Sequence, residues 1–210
     1  MHSWRLALLG LVAMMSIGAR ASSVEGPFTE DSLTNPKWNT TIKYCTWCHG
    51  RTGAEAYSSA PRIAGQSALY ISDQLEKFKS HERIDSFAEF MWNATRNQDP
   101  AVFPIVAAYF SKQTMAPRES FDSAMAAKGE EIFKNGIPSR GVMACVLCHG
   151  ENAHGAGPFP RLASQDKAYI TRRFGEWREG KDPYAVPMPA FAQVLMQSEI
   201  DSLAEFFASK

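Results

Sequence analysis

The sequence contains one short pattern, Cys-x-x-Cys-His, twice. The copies are CTWCH, from Cys45 to His49, and CVLCH, from Cys145 to His149. Together they use all 4 cysteines of the 210-residue chain, and the second copy begins 100 residues after the first. Two copies of one spacing are a strong signal of shared chemistry.

This pattern indicates covalent attachment of a c-type haem. Each cysteine can form a thioether with one vinyl group, and the spacing lets both sulfurs reach one porphyrin edge. The histidine that follows the second cysteine then lies under the iron. The predicted attachment residues are Cys45, Cys48, Cys145 and Cys148, and the predicted proximal ligands are His49 and His149. We therefore expect two covalently bound haem c groups, each with its iron.

Other uses of paired cysteines fit the sequence less well. A redox-active pair has no need of the adjacent histidine, and a zinc ribbon places its pairs about 15 to 20 residues apart. Two structural disulfides are compatible with an exported protein but leave both histidines without a role. Haem attachment is the interpretation that uses every residue of both motifs.

The N-terminal segment has the pattern of an export signal. Basic residues precede an apolar run from Leu6 to Ile17, and Ala19-Arg20-Ala21 forms a small-residue cleavage site. The run is shorter than the roughly 20 residues that span a bilayer. We therefore expect cleavage after Ala21 and a periplasmic protein. The balance of 22 basic and 22 acidic side chains gives no electrostatic reason to expect binding to nucleic acid.

The similarity between the two parts of the chain extends beyond the motifs. The segment from Pro61 to Gln66 (PRIAGQ) recurs from Pro160 to Gln165 (PRLASQ), and Tyr109 corresponds to Phe206 near the end of each unit. Such a repeat indicates an internal duplication. The predicted divisions are a signal peptide at 1–21, an N-terminal haem domain at 22–116 and a C-terminal haem domain at 117–210.

Both units have helical patterns, and no alternating run predicts a sheet, so we expect an all-α fold. Helices are predicted over Ser67–Lys79, Ser123–Asn135 and Lys167–Arg178. The last helix of the first unit should open at Asp99-Pro100. The last helix of the second unit should begin at Ser198, with Asp201 completing a capping box.

In these features the sequence resembles the dihaem cytochromes c of the cytochrome c4 family. The resemblance covers essentially the whole mature chain. It implies two tandem class I cytochrome c domains related by a pseudo-twofold axis, with haem propionates facing one another across the interface. It also implies that the carbonyls of Pro61 and Pro160 accept a hydrogen bond from the ligand histidines. Arg62 and Arg161 would pair with propionates, or alternatively form ordinary surface ion pairs.

The resemblance also exposes one difference between the units. In the second, the segment from Gly129 to Phe133 resembles the family's close packing of the first helix against the last. The corresponding segment of the first unit, Pro36 to Ile42, has no glycine, and this puts its opening helix in doubt.

Each iron needs a sixth ligand, for which haem proteins use Met or His or leave the position open. Met91 precedes Tyr109 by 18 residues, and Met188 precedes Phe206 by 18 residues, so they occupy equivalent places in the repeat. We predict Met91 and Met188 as these ligands, with Met196 as the alternative in the second unit. The remaining candidates, His81 and His154, have no counterpart in the other repeat, and His81 lies in a polar stretch expected to be solvated.

A Met-His iron leaves no position for a substrate, so we expect an electron carrier and not an enzyme. Its partners would be redox proteins: an oxidase, a reductase or a dehydrogenase, with transient docking to membrane complexes. The favoured function is a respiratory shuttle toward a terminal oxidase or reductase. The alternatives are the haem subunit of a periplasmic dehydrogenase that oxidises sulfide or thiosulfate, and a dihaem peroxidase.

Overall fold

The structure is a computed structural model that describes residues 36–57, 59–118 and 121–210. The predicted signal peptide and its cleavage site lie outside these residues. The described residues form the helices α1 (Pro36–His49), α2 (Ala68–Lys79), α3 (Ala88–Thr95), α4 (Phe103–Ser111), α5 (Ser123–Asn135), α6 (Val146–His149), α7 (Lys167–Arg178), α8 (Met188–Val194) and α9 (Gln197–Ala208). Short 3₁₀ turns at Pro100–Val102 and Pro138–Arg140 complete them. Over the same ranges β-pairing is limited to isolated bridges, which confirms the all-α prediction.

Most helix boundaries follow the sequence signals. Helix α5 spans the predicted residues and ends at Gly136, whose positive φ of 66° suits glycine and whose N–H bonds to the Ile132 carbonyl. Helix α2 starts one residue after Ser67, which caps it through its hydroxyl. Asp99 caps the 3₁₀ turn that leads into α4. Of the described helices, none is long and apolar enough to cross a membrane.

Two expectations about helix starts were wrong. Helix α9 begins at Gln197, and its N-cap is Met196 instead of Ser198, because the Glu199 carboxylate accepts a hydrogen bond from the Met196 N–H at 2.8 Å. In the first repeat, α1 forms although it lacks glycine, and Ile42 on this helix packs into the core beside Phe103. Close approach of the helices is therefore not required for α1 to exist.

Each repeat has its own apolar core. We call α1–α4 the first repeat and α5–α9 the second repeat. The core of the first is built from Ile42, Ile71, Leu75, Val102, Phe103, Val106, Ala107 and Phe110. The core of the second includes Phe133, Val142, Ile170, Phe174, Leu195, Ile200, Leu203, Phe206 and Phe207. These cores hold the short segments that carry the motif residues.

The repeated PRIAGQ and PRLASQ segments are anchored in the same way. The Gly65 N–H donates to the Phe110 carbonyl at 2.9 Å, and the Ser164 N–H donates to the Phe207 carbonyl at 2.7 Å. Gly65 and Ser164 both have a positive φ, 62° and 63° respectively. The same turn therefore ties each segment to the end of the last helix of its repeat.

Two buried glutamines join the repeats reciprocally. Gln165 accepts a hydrogen bond from the Arg62 N–H at 3.0 Å and donates to the Arg62 carbonyl at 2.8 Å. Gln66 makes the matching pair with the N–H and carbonyl of Arg161, at 2.6 and 2.9 Å. Because each glutamine binds the other repeat's backbone, the two PR-x-A-x-Q segments lie against one another at the interface.

Candidate haem-binding sites

The two motif histidines have the same surroundings. His49 ends α1 and His149 ends α6, and they are only 8% and 7% exposed. Nδ1 of His49 lies 2.9 Å from the Pro61 carbonyl oxygen, and Nδ1 of His149 lies 2.9 Å from that of Pro160. A carbonyl oxygen can only accept, so Nδ1 carries the proton and Nε2 presents its lone pair. The contacts implied by the resemblance are present in both repeats.

Burial keeps these imidazoles in the form that binds a metal. It lowers the pKa of His49 and of His149 below the usual value, although the hydrogen bonds to Pro61 and Pro160 act in the opposite direction. In the first repeat the positive charge of Arg83 lowers the pKa of His49 further. A neutral imidazole with a free Nε2 is the state that ligates iron.

The four cysteines are not paired in disulfides, and they stand at the positions that attachment would need. Cys45 and Cys48 are separated by less than one turn of α1. In the second motif Cys145 is the N-cap of the short helix α6, and Cys148 lies within that helix. Burial raises the pKa of both Cys45 and Cys145 to about 11. The first cysteine of each motif also packs against the core of its own repeat.

Both predicted sixth ligands are half-buried against the core of their own repeat. Met91 lies within α3, and Met188 is the first residue of α8. In the first repeat an apolar pocket is lined by Cys45 and Met91 together with Leu75, Phe103 and Val106. The alternative ligand Met196 is 55% exposed at the N-cap of α9. The structure therefore brings Cys45, the first predicted attachment residue, and Met91, the predicted sixth ligand, to one pocket.

The arginines of the repeated segments bind backbone carbonyls. Arg62 is 6% exposed, and its guanidinium donates to the carbonyls of Ala54 at 2.7 Å, Ala116 at 3.2 Å and Ser164. A surface ion pair is thus wrong for Arg62, because the side chain is buried among carbonyl oxygens. Burial lowers its pKa to about 10. Arg161 is half-buried and donates to the Ala163 carbonyl at 3.2 Å.

Sequence reasoning missed a buried charge network between the repeats. The Asp85 carboxylate lies 3.0 Å from Arg83 and 3.4 Å from Arg173 of the second repeat. Arg173 also pairs with Glu176 at 2.7 Å and with Asp182. The positions had no recognisable motif, since Arg83 belongs to a polar stretch that is typical of a solvated surface. Its burial depends on partners that are distant in the sequence.

The tyrosines of the repeat lie beside this network. The Arg83 guanidinium donates to the Tyr169 hydroxyl at 3.2 Å, which links the repeats once more. Burial raises the pKa of the equivalent Tyr70 to about 12, in spite of the opposing charge of Arg83. Both phenols therefore face the interface where the duplicated segments meet.

The donor set fits a c-type haem in each repeat. In each repeat two cysteines stand next to a buried neutral imidazole whose orientation is set by a proline carbonyl. A methionine of the same repeat packs against the same core. Apolar walls of this kind hold a porphyrin and exclude water. The residues that would hold the first haem are Cys45, Cys48, His49 and Met91, and those for the second are Cys145, Cys148, His149 and Met188.

The proteins to which this chain is similar are cytochromes and electron-transfer proteins. Residues 124–207 match the family described as cytochrome c oxidase, cbb3-type, subunit III. Cytochrome c-552 of Acidithiobacillus ferridurans is 34% identical over 80% of this chain and 72% of its own length. The thiosulfate dehydrogenase electron acceptor of Thiomonas intermedia is 30% identical over 79% of this chain and 78% of its own. The solved structure of Acidithiobacillus ferrooxidans cytochrome c4 superimposes with a TM-score of 0.73 at 32% identity, covering 80% of this chain and 99% of that one.

Proposed function

The chain belongs to the cytochrome c4 family of dihaem c-type cytochromes, and we propose that it is a periplasmic shuttle that carries electrons toward a terminal oxidase or reductase. Members of this family are electron carriers, and the chain carries two covalently bound haem c groups with their irons. Bound haem supplies reversible one-electron chemistry at iron. We propose the periplasmic location, the direction of electron transfer and the lack of catalytic activity on the same basis.

One observation carries the proposal: the two repeats contain the same arrangement of residues. His49 and His149 are each held by a proline carbonyl at 2.9 Å, with a methionine packed in the core of the same repeat. With a histidine and a methionine bound to each iron, no position would be left for a substrate, which favours transfer of electrons over catalysis. Fixed ligands also keep structural change small when an electron enters or leaves.

The exposed parts of the motifs supply places for partners to dock. Trp47 and Leu147, the variable residues inside the two motifs, are 76% and 73% exposed. Each motif therefore lies at the protein surface, within reach of a redox protein. The near-neutral charge predicts weak electrostatic steering and small, transient contacts.

A second candidate function is supported by one comparison. The relative from Thiomonas intermedia is named as the electron acceptor of a thiosulfate dehydrogenase. This chain would then receive electrons from a periplasmic dehydrogenase, either as a stable subunit or as a transient acceptor. Co-purification of a second chain from the native host under low salt would favour the subunit, whereas purification as a single polypeptide would favour the shuttle.

The ligand assignment is tested by Met91→Ala and Met188→Ala, with Met143→Ala as the control because Met143 is 51% exposed. We expect each ligand variant to convert one haem to high spin and to lower one of the two midpoint potentials in a redox titration. Met143→Ala should leave both haems unchanged. If Met188→Ala has no effect while Met196→Ala converts a haem, the assignment in the second repeat is wrong.

A further inference from the structure

The helix that precedes each methionine ends on a cation. Helices α2 and α7 both have 12 residues, and their last residues are Lys79 and Arg178. Lys79 and Arg178 are equivalent in the duplication, since each lies nine residues after the repeated tyrosine, Tyr70 or Tyr169. Neither cation belongs to the haem motifs or to the ligand set described above.

Both cations bind the end of the short helix that carries the methionine. In the first repeat Lys79 Nζ donates to the carbonyls of Thr95 at 3.4 Å, Arg96 at 2.9 Å and Gln98 at 2.9 Å. These carbonyls are at the C-terminus of α3 and in the turn that follows it. Lys79 thus binds three carbonyl oxygens and forms no ion pair among the described residues.

The arginine of the second repeat makes the corresponding contacts. Arg178 Nε donates to the Ala192 carbonyl at 2.8 Å, and Nη2 donates to the Leu195 carbonyl. Gln193 completes the connection by donating to the Arg178 carbonyl at 3.0 Å. The end of α8 is therefore attached to the end of α7 through both side chain and backbone.

The register of these contacts is the same in the two repeats. Thr95 and Gln98 are the fourth and seventh residues after Met91. Ala192 and Leu195 are the fourth and seventh residues after Met188. The cations therefore bind equivalent points of the two segments that follow the methionines. This equivalence is independent of the 18-residue spacing from Met91 to Tyr109 and from Met188 to Phe206.

The physical basis is the end of a short helix. The last carbonyls of a helix have no partner within it and form the negative end of its dipole, so a nearby cation stabilises them. Helices α3 and α8 have only eight and seven residues, too few to be stable without such contacts. In the first repeat Thr95 and Gln98 also line the pocket that contains Cys45 and Met91.

We propose that Lys79 and Arg178 are positioning residues that fix the methionine helices against the haem sites. Their loss would leave α3 or α8 free to move, and the methionine would then be released more readily. The proposal rests on the proposed function for the premise that Met91 and Met188 are iron ligands. The attachment of the helix ends is independent of that premise and has its own readout.

The two repeats should differ in their dependence on the cation. In the second repeat Arg140 also donates to the end of α8, through the Val194 carbonyl at 3.0 Å. Among the described residues Lys79 is the only cationic side chain with hydrogen bonds to the carbonyls that end α3. Loss of Lys79 should therefore have a larger effect than loss of Arg178.

The test in the first repeat is Lys79→Met, which keeps the aliphatic stem and removes the charge, with Lys79→Arg as the conservative variant. Lys77→Met is the matched control, because Lys77 on the same helix forms only a surface pair with Asp73 at 2.8 Å. Losing charge-assisted hydrogen bonds typically changes an equilibrium by about 10- to 100-fold. We expect external imidazole to bind one haem at least about tenfold more tightly in Lys79→Met. The far-red methionine-to-iron band should fall by the share of one haem at a lower imidazole concentration than in the unaltered protein, and Lys79→Arg should reverse this shift.

A second readout is hydrogen exchange of the α3 amides, which should become faster in Lys79→Met and stay unchanged in Lys77→Met. If Lys79→Met does not fold, Lys79→Gln retains a hydrogen-bond donor without the charge and serves for the same measurements. Unchanged imidazole affinity together with unchanged α3 exchange would overturn the proposal. A different outcome is that Lys79→Met loses the protection of the α3 amides while Met91→Ala keeps the full far-red band. That result would refute Met91 as the iron ligand but would retain the role of Lys79 in holding α3.

The second repeat supplies the comparison. Arg178→Met should raise imidazole affinity less than Lys79→Met does, and the double variant with Arg140→Met should raise it further. Lys134→Met is the control there, since Lys134 pairs only with Glu130 on the surface of α5. A larger effect of Arg178→Met than of Lys79→Met would contradict the role assigned to Arg140.

Discussion

The two repeats differ most where the first helix of each crosses the last. In the second repeat α5 packs closely on α9 at Gly129, where an added Cβ would lie 2.0 Å from the Ser202 carbonyl oxygen. Phe133 extends the contact by packing on Phe206 and Phe207, with ring centroids 5.1 and 5.8 Å apart. Among the described residues of the first repeat, the contact between α1 and α4 is much smaller, and Ile42 is the buried residue that α1 contributes to the core.

This difference shows which parts of the duplication are held constant and which are free to change. The motif, the proline carbonyl and the attachment of the methionine helix are the same in both repeats. The helix crossing is not, so it contributes to the stability of the second repeat more than to that of the first. We infer that the first repeat depends more on its covalently bound haem, which supplies apolar contacts that its own helices lack.

The largest effect is expected from Gly129→Ala. The new methyl group would meet the Ser202 backbone, which cannot move without shifting α9, and overpacking of this kind costs about 3 kcal/mol or more. The free energy of unfolding in urea, followed by helical circular dichroism, should fall by this amount.

The control is Gly175→Ala in α7, where a Cβ would have nothing within 4 Å. This change should stabilise the protein by about 0.5–1 kcal/mol, because alanine favours a helix more than glycine does. If Gly129→Ala and Gly175→Ala change the free energy of unfolding equally, α5 and α9 do not approach as closely at Gly129 as in the structure.

A smaller effect is expected from the glutamines that join the repeats. Gln165→Leu should cost about 1–3 kcal/mol, because it leaves the N–H and carbonyl of Arg62 without partners in a buried place. Gln66→Leu should cost less, since Arg161 is half-buried and water can replace the lost partner. Calorimetry should show two unfolding transitions, one for each repeat. The temperature difference between them should be larger in Gln165→Leu than in Gln66→Leu. A greater separation for Gln66→Leu would contradict this order.

The smallest effect concerns alkaline pH. Burial raises the pKa of Tyr70 to about 12, so the folded protein keeps the phenol proton where the unfolded chain, with a pKa near 10, releases it. The stability contributed by the neutral phenol is complete below about pH 10 and is lost as the pH rises toward about 12. Tyr70→Phe should reduce this loss in denaturation measured across that range. Tyr57→Phe is the control, because Tyr57 is 71% exposed, and an equal reduction in it would rule out Tyr70 as the source.

The sequence predicted those features that are encoded within a short stretch of chain. The motifs and the bounds of α2, α5 and α7 depend on neighbouring residues, and the structure contains them. The proline acceptors were implied by the family resemblance, and the structure contains them as well. The burial of Arg83 could not be predicted in this way, because its partner Tyr169 is 86 residues away. The start of α9 was missed because the Glu199 carboxylate, not a residue of the Ser/Asp pattern, accepts from the N–H of the N-cap residue Met196.

The reciprocal glutamines also limit how such a protein can be rebuilt. Gln66 bonds to the backbone of Arg161, and Gln165 bonds to the backbone of Arg62. Both pairs of hydrogen bonds are therefore lost if either segment changes its conformation. A chimera that takes one half from a relative would therefore need a matching glutamine and a matching turn on both sides of the seam. Engineers who wish to combine haems of different potential in one polypeptide should exchange the helices outside this seam and leave the two segments that meet there untouched.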